Sequence, residues 1–306
     1  MKVCRINSWM VKMIDNHNIC DFSVFDESFE PFNQLGHRDK QVVRQCIQNF
    51  SSVVGLVRHN ASIPRVLETG AGLSTVIFSK LLTLPGESIK TIDAFALDAI
   101  QINSRGTGAN FQLSELLNCT IIKGITISYE ELAEFYQAQD STIMLLPHEK
   151  ILSNLDWFIN LNMEDRNYQK VIKLIQSNYL SYSILKNYFS KHSLFVNEIF
   201  DGFRTENDEF TFLKSSVFKS ILRECLVNDL PNIIYLDSGE YSSVIEFNII
   251  DELAQIGSIL ILQDIFFPKS IKSFFIASAI LASERWRVLW IDKTTPQGML
   301  ICKKYN

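Results

Sequence analysis

The stretch Pro64-Arg-Val-Leu-Glu-Thr-Gly-Ala-Gly-Leu-Ser-Thr-Val-Ile-Phe-Ser-Lys-Leu-Leu82 decides how this chain folds. It reads as a short buried strand from Arg65 to Glu68, a glycine-bearing turn, and a helix from about Ser74 to Leu84 that stops at Pro85-Gly86. A strand feeding a helix through such a turn points backbone N–H groups outward at a helix N-terminus, where a nucleotide-like ligand can sit. Gly70 and Gly72 allow close approach of the backbone to that ligand, and Glu68 closes the strand with a carboxylate. A full dinucleotide fingerprint asks for a third glycine three residues on. Thr75 stands there instead.

Working outward, the same rhythm recurs. Ser88 to Asp93 reads as a second strand, ending in a carboxylate about 25 residues beyond Glu68, well placed to accept hydrogen bonds from ribose hydroxyls. The spacing then predicts a helix through Asn103, a loop at Arg105-Gly-Thr-Gly108, and a third strand from Cys119 to Gly124. Upstream, Val42, Val43, Cys46, Ile47, Phe50, Val53 and Val54 fall at helical spacing, giving a helix from Asp39, as N-cap, to Leu56. Downstream, Asn232–Asp237 and Ser258–Asp264 are apolar runs that each end in Asp, with a helix over about Ser243 to Gln255 between them. A helix over about Ile271 to Ser283 follows, and two final strands, Trp286–Ile291 and Gly298–Lys303, flank the turn Lys293-Thr-Thr-Pro-Gln297.

Residues 126–225 break this alternation with helical patterning and many aromatics, far more chain than a strand–helix connection needs. The expected organisation is an N-terminal helical segment (1–60), a Rossmann-like domain (61–125 and 226–306), and a helical insert or cap (126–225). The fold class is α/β: a mostly parallel seven-stranded sheet with an antiparallel terminal hairpin.

Composition narrows the function classes. The chain has 306 residues, 47% hydrophobic and 21% charged, which suits a globular protein with a full core. Its net charge of −5 argues against nucleic acid as the main partner, since phosphate binding asks for a basic surface. The six cysteines are widely spaced with no C-x-x-C pair, which fits reduced, separately buried thiols in a cytoplasmic protein. No apolar run approaches the roughly 18–20 residues of a membrane span, and the N-terminus carries no signal-peptide core.

The motif Glu68-x-Gly70-x-Gly72-x-Ser74-Thr75, with carboxylates closing further strands at Asp93, Asp237 and Asp264 and a final hairpin at Gly298-Met-Leu-Ile-Cys-Lys, resembles class I S-adenosylmethionine-dependent methyltransferases. The resemblance covers about 65–125 and 230–304. It implies S-adenosylmethionine as cofactor, with the acidic residue and glycine turn holding its methionine part. The cofactor candidates are then Glu68, Thr69, Gly70, Ala71, Gly72, Ser74, Thr75, Asp93, Ala94 and Asp237. It also implies transfer of a methyl group to a hydroxyl, less readily an amine, of a small molecule such as a natural-product intermediate. No nucleic acid or membrane partner is expected, and a homodimer stays open.

Catalysis falls to Asp264, Asp237, His148 and His192 as candidates, and substrate contact to Glu240, Tyr241 and His37. Each has an ordinary structural alternative, such as a helix cap for the aspartates or an exposed position for the histidines. Metal-dependent relatives place an Asp-Asn pair after the fifth strand. Gln263-Asp264 stands here, and the neutral amide weakens a hard-cation site, so no metal is assigned. Two other readings stand beside the enzyme: a cofactor-binding protein of the same fold without transfer activity, and a nicotinamide-dependent oxidoreductase, against which the missing third glycine and the terminal hairpin both count.

Overall fold

A computed structural model describes residues 37–94, 99–104, 107–112, 116–137, 212–239, 242–265, 272–293 and 298–306. His148, His192, Glu240 and Tyr241 lie outside the described residues, as does most of the stretch 126–225.

Short segments rich in apolar residues, too short for helices, build the sheet: β1 (Arg65–Thr69), β2 (Ser88–Ile92), β5 (Cys119–Ile122), β6 (Ile233–Leu236), β7 (Ile259–Gln263), β8 (Trp286–Asp292) and β9 (Met299–Lys304). Between β2 and β5 lie β3 (Ala99–Ser104) and β4 (Thr107–Gln112). The helices are α1 (His37–His59), α2 (Leu73–Leu81), α3 (Tyr129–Gln137), α4 (Leu222–Asp229), α5 (Ser242–Leu253) and α6 (Lys272–Ala282). The seven-stranded sheet has the order β5-β2-β1-β6-β7-β9-β8. Its first five strands are parallel, and β9 inserts antiparallel between β7 and β8. This is the Rossmann-like α/β sheet with a terminal hairpin that the sequence predicts.

Alternation along the central strands feeds two cores. Val66, Ile233, Tyr235, Ile259, Ile261, Met299 and Ile301 face α1 and α2. Leu67, Ile234, Leu236, Leu260, Leu262, Leu300 and Cys302 face α4, α5 and α6. Strands buried on both faces read as continuous apolar runs, which explains why they were legible. On the first face Phe50 of α1 stacks on Phe78 of α2 with ring centroids 4.4 Å apart. Tyr235 meets the edges of both rings at 5.3 and 6.1 Å. This trio fastens α1 to the sheet.

Two expectations are corrected. The helix predicted through Asn103 is instead the β3–β4 hairpin, a separate two-stranded antiparallel sheet in which Ile100 opposes Phe111 and Ile102 opposes Ala109. A backbone ladder running from Ala99 opposite Gln112 to Ser104 opposite Thr107 stands where the short helical pattern pointed to a helix. The first helix begins at His37, so Asp39 lies inside its first turn and is not its N-cap. Leu132 of α3 and Leu222 and Leu226 of α4 pack in the cluster with Leu236 and Leu262, so the described ends of the stretch 126–225 meet the sheet's own core. Among the described residues no helix is long and apolar enough to cross a membrane. The described thiols, Cys46, Cys119, Cys225 and Cys302, are all free.

Candidate functional site

The strand order reverses between β1 and β6, and the crevice at the carboxyl end of this switch point is where open α/β sheets receive ligands. The loops leaving β1 and β6 are pinned together there. Thr69 Oγ1 accepts the Asp237 N–H at 3.1 Å. Gly70 has φ +90°, and a Cβ built on it would stand 3.2 Å from the Asp237 carbonyl oxygen, so this position needs glycine. Gly72 differs. A Cβ there would meet nothing within 4 Å, so the outer face of the turn opens onto space at the start of α2.

Asp93, just beyond β2, reaches this turn: its Oδ2 accepts the Ala71 N–H at 2.7 Å. Thr75 closes the turn from the other side. Its Oγ1 accepts the Gly72 N–H at 3.0 Å and donates to Glu68 Oε2 at 2.6 Å. Thr91 Oγ1 donates to the same oxygen at 2.7 Å, and Ser74 Oγ donates to Oε1. Glu68 is 0% exposed, with both oxygens engaged by hydroxyls from within the fold. Burial pushes its carboxyl up to about 7, and the negative charge of Asp237 adds to that rise against the lowering effect of the three hydroxyls. Glu68 therefore braces the turn from behind. Thr69 and Thr75 are buried with it, while Ala71, Gly72, Ser74, Asp93 and Ala94 stay half-exposed at the rim.

Across the crevice, Asp237 and Asp264 close the neighbouring strands β6 and β7. Asp264 is held at φ +59°, a left-handed conformation uncommon outside glycine and costly by about 1 kcal/mol or more. Its N–H donates to Gly298 O at 3.0 Å, which ties the end of β7 to the start of β9. Tyr235 and Cys46 flank this side and were not among the sequence candidates. The Tyr235 hydroxyl donates to Gln263 Oε1 and stands 3.4 Å from Asp237 Oδ2. Burial raises this phenol well above its usual range, as do the charges of Asp237, Glu68 and Asp264. Burial likewise pushes the Cys46 thiol of α1 up to about 12, helped by Asp292, Asp237 and Asp264. Asn49, also on α1, donates to Asp292 Oδ2 at 2.8 Å. These elements gather only in three dimensions, although a tyrosine within an otherwise aliphatic strand, Ile233-Ile-Tyr-Leu236, is a signal that the sequence does carry.

The structure thus brings Glu68 to Thr75, Asp93, Ala94, Asp237 and Asp264 to one edge of the sheet. His37 is the first residue of α1. Among the described residues no group of three or more His, Cys, Asp or Glu side chains could hold a metal ion.

No protein-family model matches the chain, and no curated protein is similar to it. Solved structures do resemble it. One is a protein from Klebsiella pneumoniae assigned as an O-methyltransferase, at 11% identity over 98% of this chain and 96% of that one, with a TM-score of 0.39. Another is the O-methyltransferase from Bacillus cereus in complex with SAH, at 11% identity over 98% of this chain and all of that one, with a TM-score of 0.37. The fold rests on this chain's own strand order: a seven-stranded Rossmann-like α/β sheet with parallel strands and an antiparallel terminal pair.

Proposed function

We propose that the chain is an S-adenosylmethionine-dependent methyltransferase that acts on a hydroxyl, less readily an amine, of a small molecule. One observation carries this reading: a glycine turn at the switch point, open above Gly72 and joined to Asp93 by the Ala71 N–H bond. The open face fits the cofactor, because the backbone there can be approached without a side chain in the way. When bound, the cofactor would supply an electrophilic methyl on sulfur.

The protein's own part is positioning. The turn Gly70–Gly72 and Ser74 would hold the amino-acid end of the cofactor, while Asp93 and Ala94 would hold the nucleoside end, with the carboxylate accepting ribose hydroxyl hydrogens. Glu68, Thr69 and Thr75 would keep the turn in place from beneath. Asp237 would line the crevice between cofactor and acceptor, and Asp264 would accept the acceptor's proton as general base. His148, His192, Glu240, Tyr241 and His37 stand as further candidates for proton transfer or acceptor contact. Holding donor and acceptor in line would lower the barrier by up to about 7–11 kcal/mol.

A second reading, cofactor binding without transfer, is favoured by one contact. The Gln263 amide oxygen is committed to the Tyr235 hydroxyl, so the position that carries a metal ligand in metal-dependent relatives is occupied in holding the sheet edge. Calorimetry with S-adenosylmethionine and S-adenosylhomocysteine, with NAD as control, tests the proposal on wild type and Asp93→Ala. Micromolar binding of the sulfur cofactors, lost in the variant, is expected. Absence of binding to either would sink both readings, and turnover in an acceptor screen separates them.

A further inference from the structure

Glu246 lies on α5 among Val244, Ile245, Phe247 and Ile249, all buried, and is itself 0% exposed. A carboxylate on the apolar face of a helix is costly to bury without hydrogen bonds. Here each oxygen has a donor. Thr126 Oγ1 donates to Oε1, and Ser238 Oγ donates to Oε2. The two donors belong to different crossovers. Thr126 follows β5, where the chain leaves the sheet for the insert, and Ser238 is the residue after Asp237 in the loop leaving β6.

The returning end of the insert is fastened at the same place. Ile125 and Ser220 form an isolated parallel bridge. The Ile221 N–H donates to Ile125 O at 3.0 Å, and Ser220 Oγ donates to Thr126 O at 2.9 Å. Gly124 leaves room there for the Ile221 side chain, whose Cδ1 would stand 2.6 Å from a Cβ at this position. On the β6 side, Ser238 Oγ lies 3.2 Å from Ser243 Oγ, and Ser243 Oγ donates to Gly239 O. The β6 loop is therefore held by its own helix and, through one carboxylate, by Thr126 at the outgoing end of the insert, to whose backbone the returning end is bonded.

We propose that Glu246 is a positioning residue that couples the root of the insert to the β6 loop and so sets where Asp237 stands in the crevice. Both hydroxyls bind the same carboxylate, so displacing one anchor displaces the acceptor of the other. Glu246 thus does for the β6 exit what Glu68 does for the β1 exit. The consequence for ligand binding rests on the function proposed above, while the coupling is measurable without any ligand.

The test is hydrogen exchange on the full chain without ligand, for wild type, Thr126→Val, Glu246→Gln and Glu246→Ala. Thr126→Val keeps the side-chain shape and removes the donor on the insert side only. The expected result is exchange about tenfold faster at 237–239, which Thr126 does not touch, with 66–69 unchanged; this is the scale of one hydrogen bond. Glu246→Ala should loosen 124–127 and 237–239 together. Glu246→Gln should restore most of the protection, because the amide oxygen accepts from one hydroxyl while the other turns to accept from the amide nitrogen.

The proposal is overturned if Thr126→Val loosens 124–127 and leaves 237–239 as in wild type. It is equally overturned if Glu246→Ala speeds exchange uniformly across the sheet, as a loss of stability alone would. Calorimetry with S-adenosylhomocysteine on the same variants should show affinity falling in step with the loosening at 237–239. Wild type that shows the coupling but binds no S-adenosylhomocysteine would remove the proposed function and leave the coupling standing.

Discussion

Glu68 makes the folded state sensitive to pH in a direction opposite to that of most buried, paired carboxylates. Its carboxyl is pushed from an ordinary 4.5 to about 7, because burial outweighs the three hydroxyl donors and Asp237 adds like charge. Well below 4.5 both folded and unfolded chains hold the proton. Between there and about 7 the folded protein keeps a proton that the unfolded chain has released, so stability falls as pH rises through this window and levels off above it. At 1.36 kcal/mol per pH unit, the gap between 4.5 and about 7 is worth about 3 kcal/mol. Urea unfolding of wild type and Glu68→Gln between pH 4.5 and 8 isolates this group, with Trp286 and Trp290 as fluorescent reporters. The glutamine keeps an oxygen for Thr75 and Thr91, while Ser74 can turn to accept from its amide nitrogen. Wild type should lose about 3 kcal/mol relative to the variant on going from pH 4.5 to 8. Parallel stability curves for the two proteins would refute the reasoning, as would a difference that grows in wild type's favour as pH rises.

Three further outcomes follow from the same geometry. Gly70→Ala, forced into φ +90° against the Asp237 carbonyl, should destabilise by about 1–3 kcal/mol, whereas Gly72→Ala, extended at φ −168° with open space beyond, should leave the melting temperature unchanged and weaken S-adenosylhomocysteine binding. The two glycines behaving alike in both assays would count against this account of the turn. Arg58 bonds both oxygens of the buried Glu87 at 2.6 and 2.7 Å and the Leu81 carbonyl at 2.8 Å. Arg58→Ala should therefore cost about 3 kcal/mol in chemical denaturation, and Arg58→Lys should recover less than half, since an ammonium cannot span the fork; a fully stable lysine variant would contradict this. Phe50→Ala, which empties the place between Phe78 and Tyr235, should cost about 3–5 kcal/mol and release α1 from the sheet, seen as faster exchange at 43–57. Loss of stability without selective exchange at α1 would show that the trio does not fasten that helix.

The sequence carried the sheet because its central strands are buried on both faces. Ile233–Leu236 and Ile259–Leu262 are unbroken apolar runs, and such runs bounded by polar turns admit few other readings. It carried the turn at Gly70–Gly72 because glycine in that setting answers a local backbone demand. The hairpin at 99–112 escaped it, since the pairing of Ile100 with Phe111 is visible only once the two strands meet. Tertiary structure alone decided what the acidic side chains do. Glu68 reads as a ligand-facing carboxylate in one dimension, yet hydroxyls from α2 and β2 meet it inside the fold. Glu246 gives no local signal, because its partners stand 120 and 8 residues away. Backbone preference and apolar periodicity are local and survive in the linear chain. The partner of a buried polar group is set by which loops the fold brings together, and that information exists only in three dimensions.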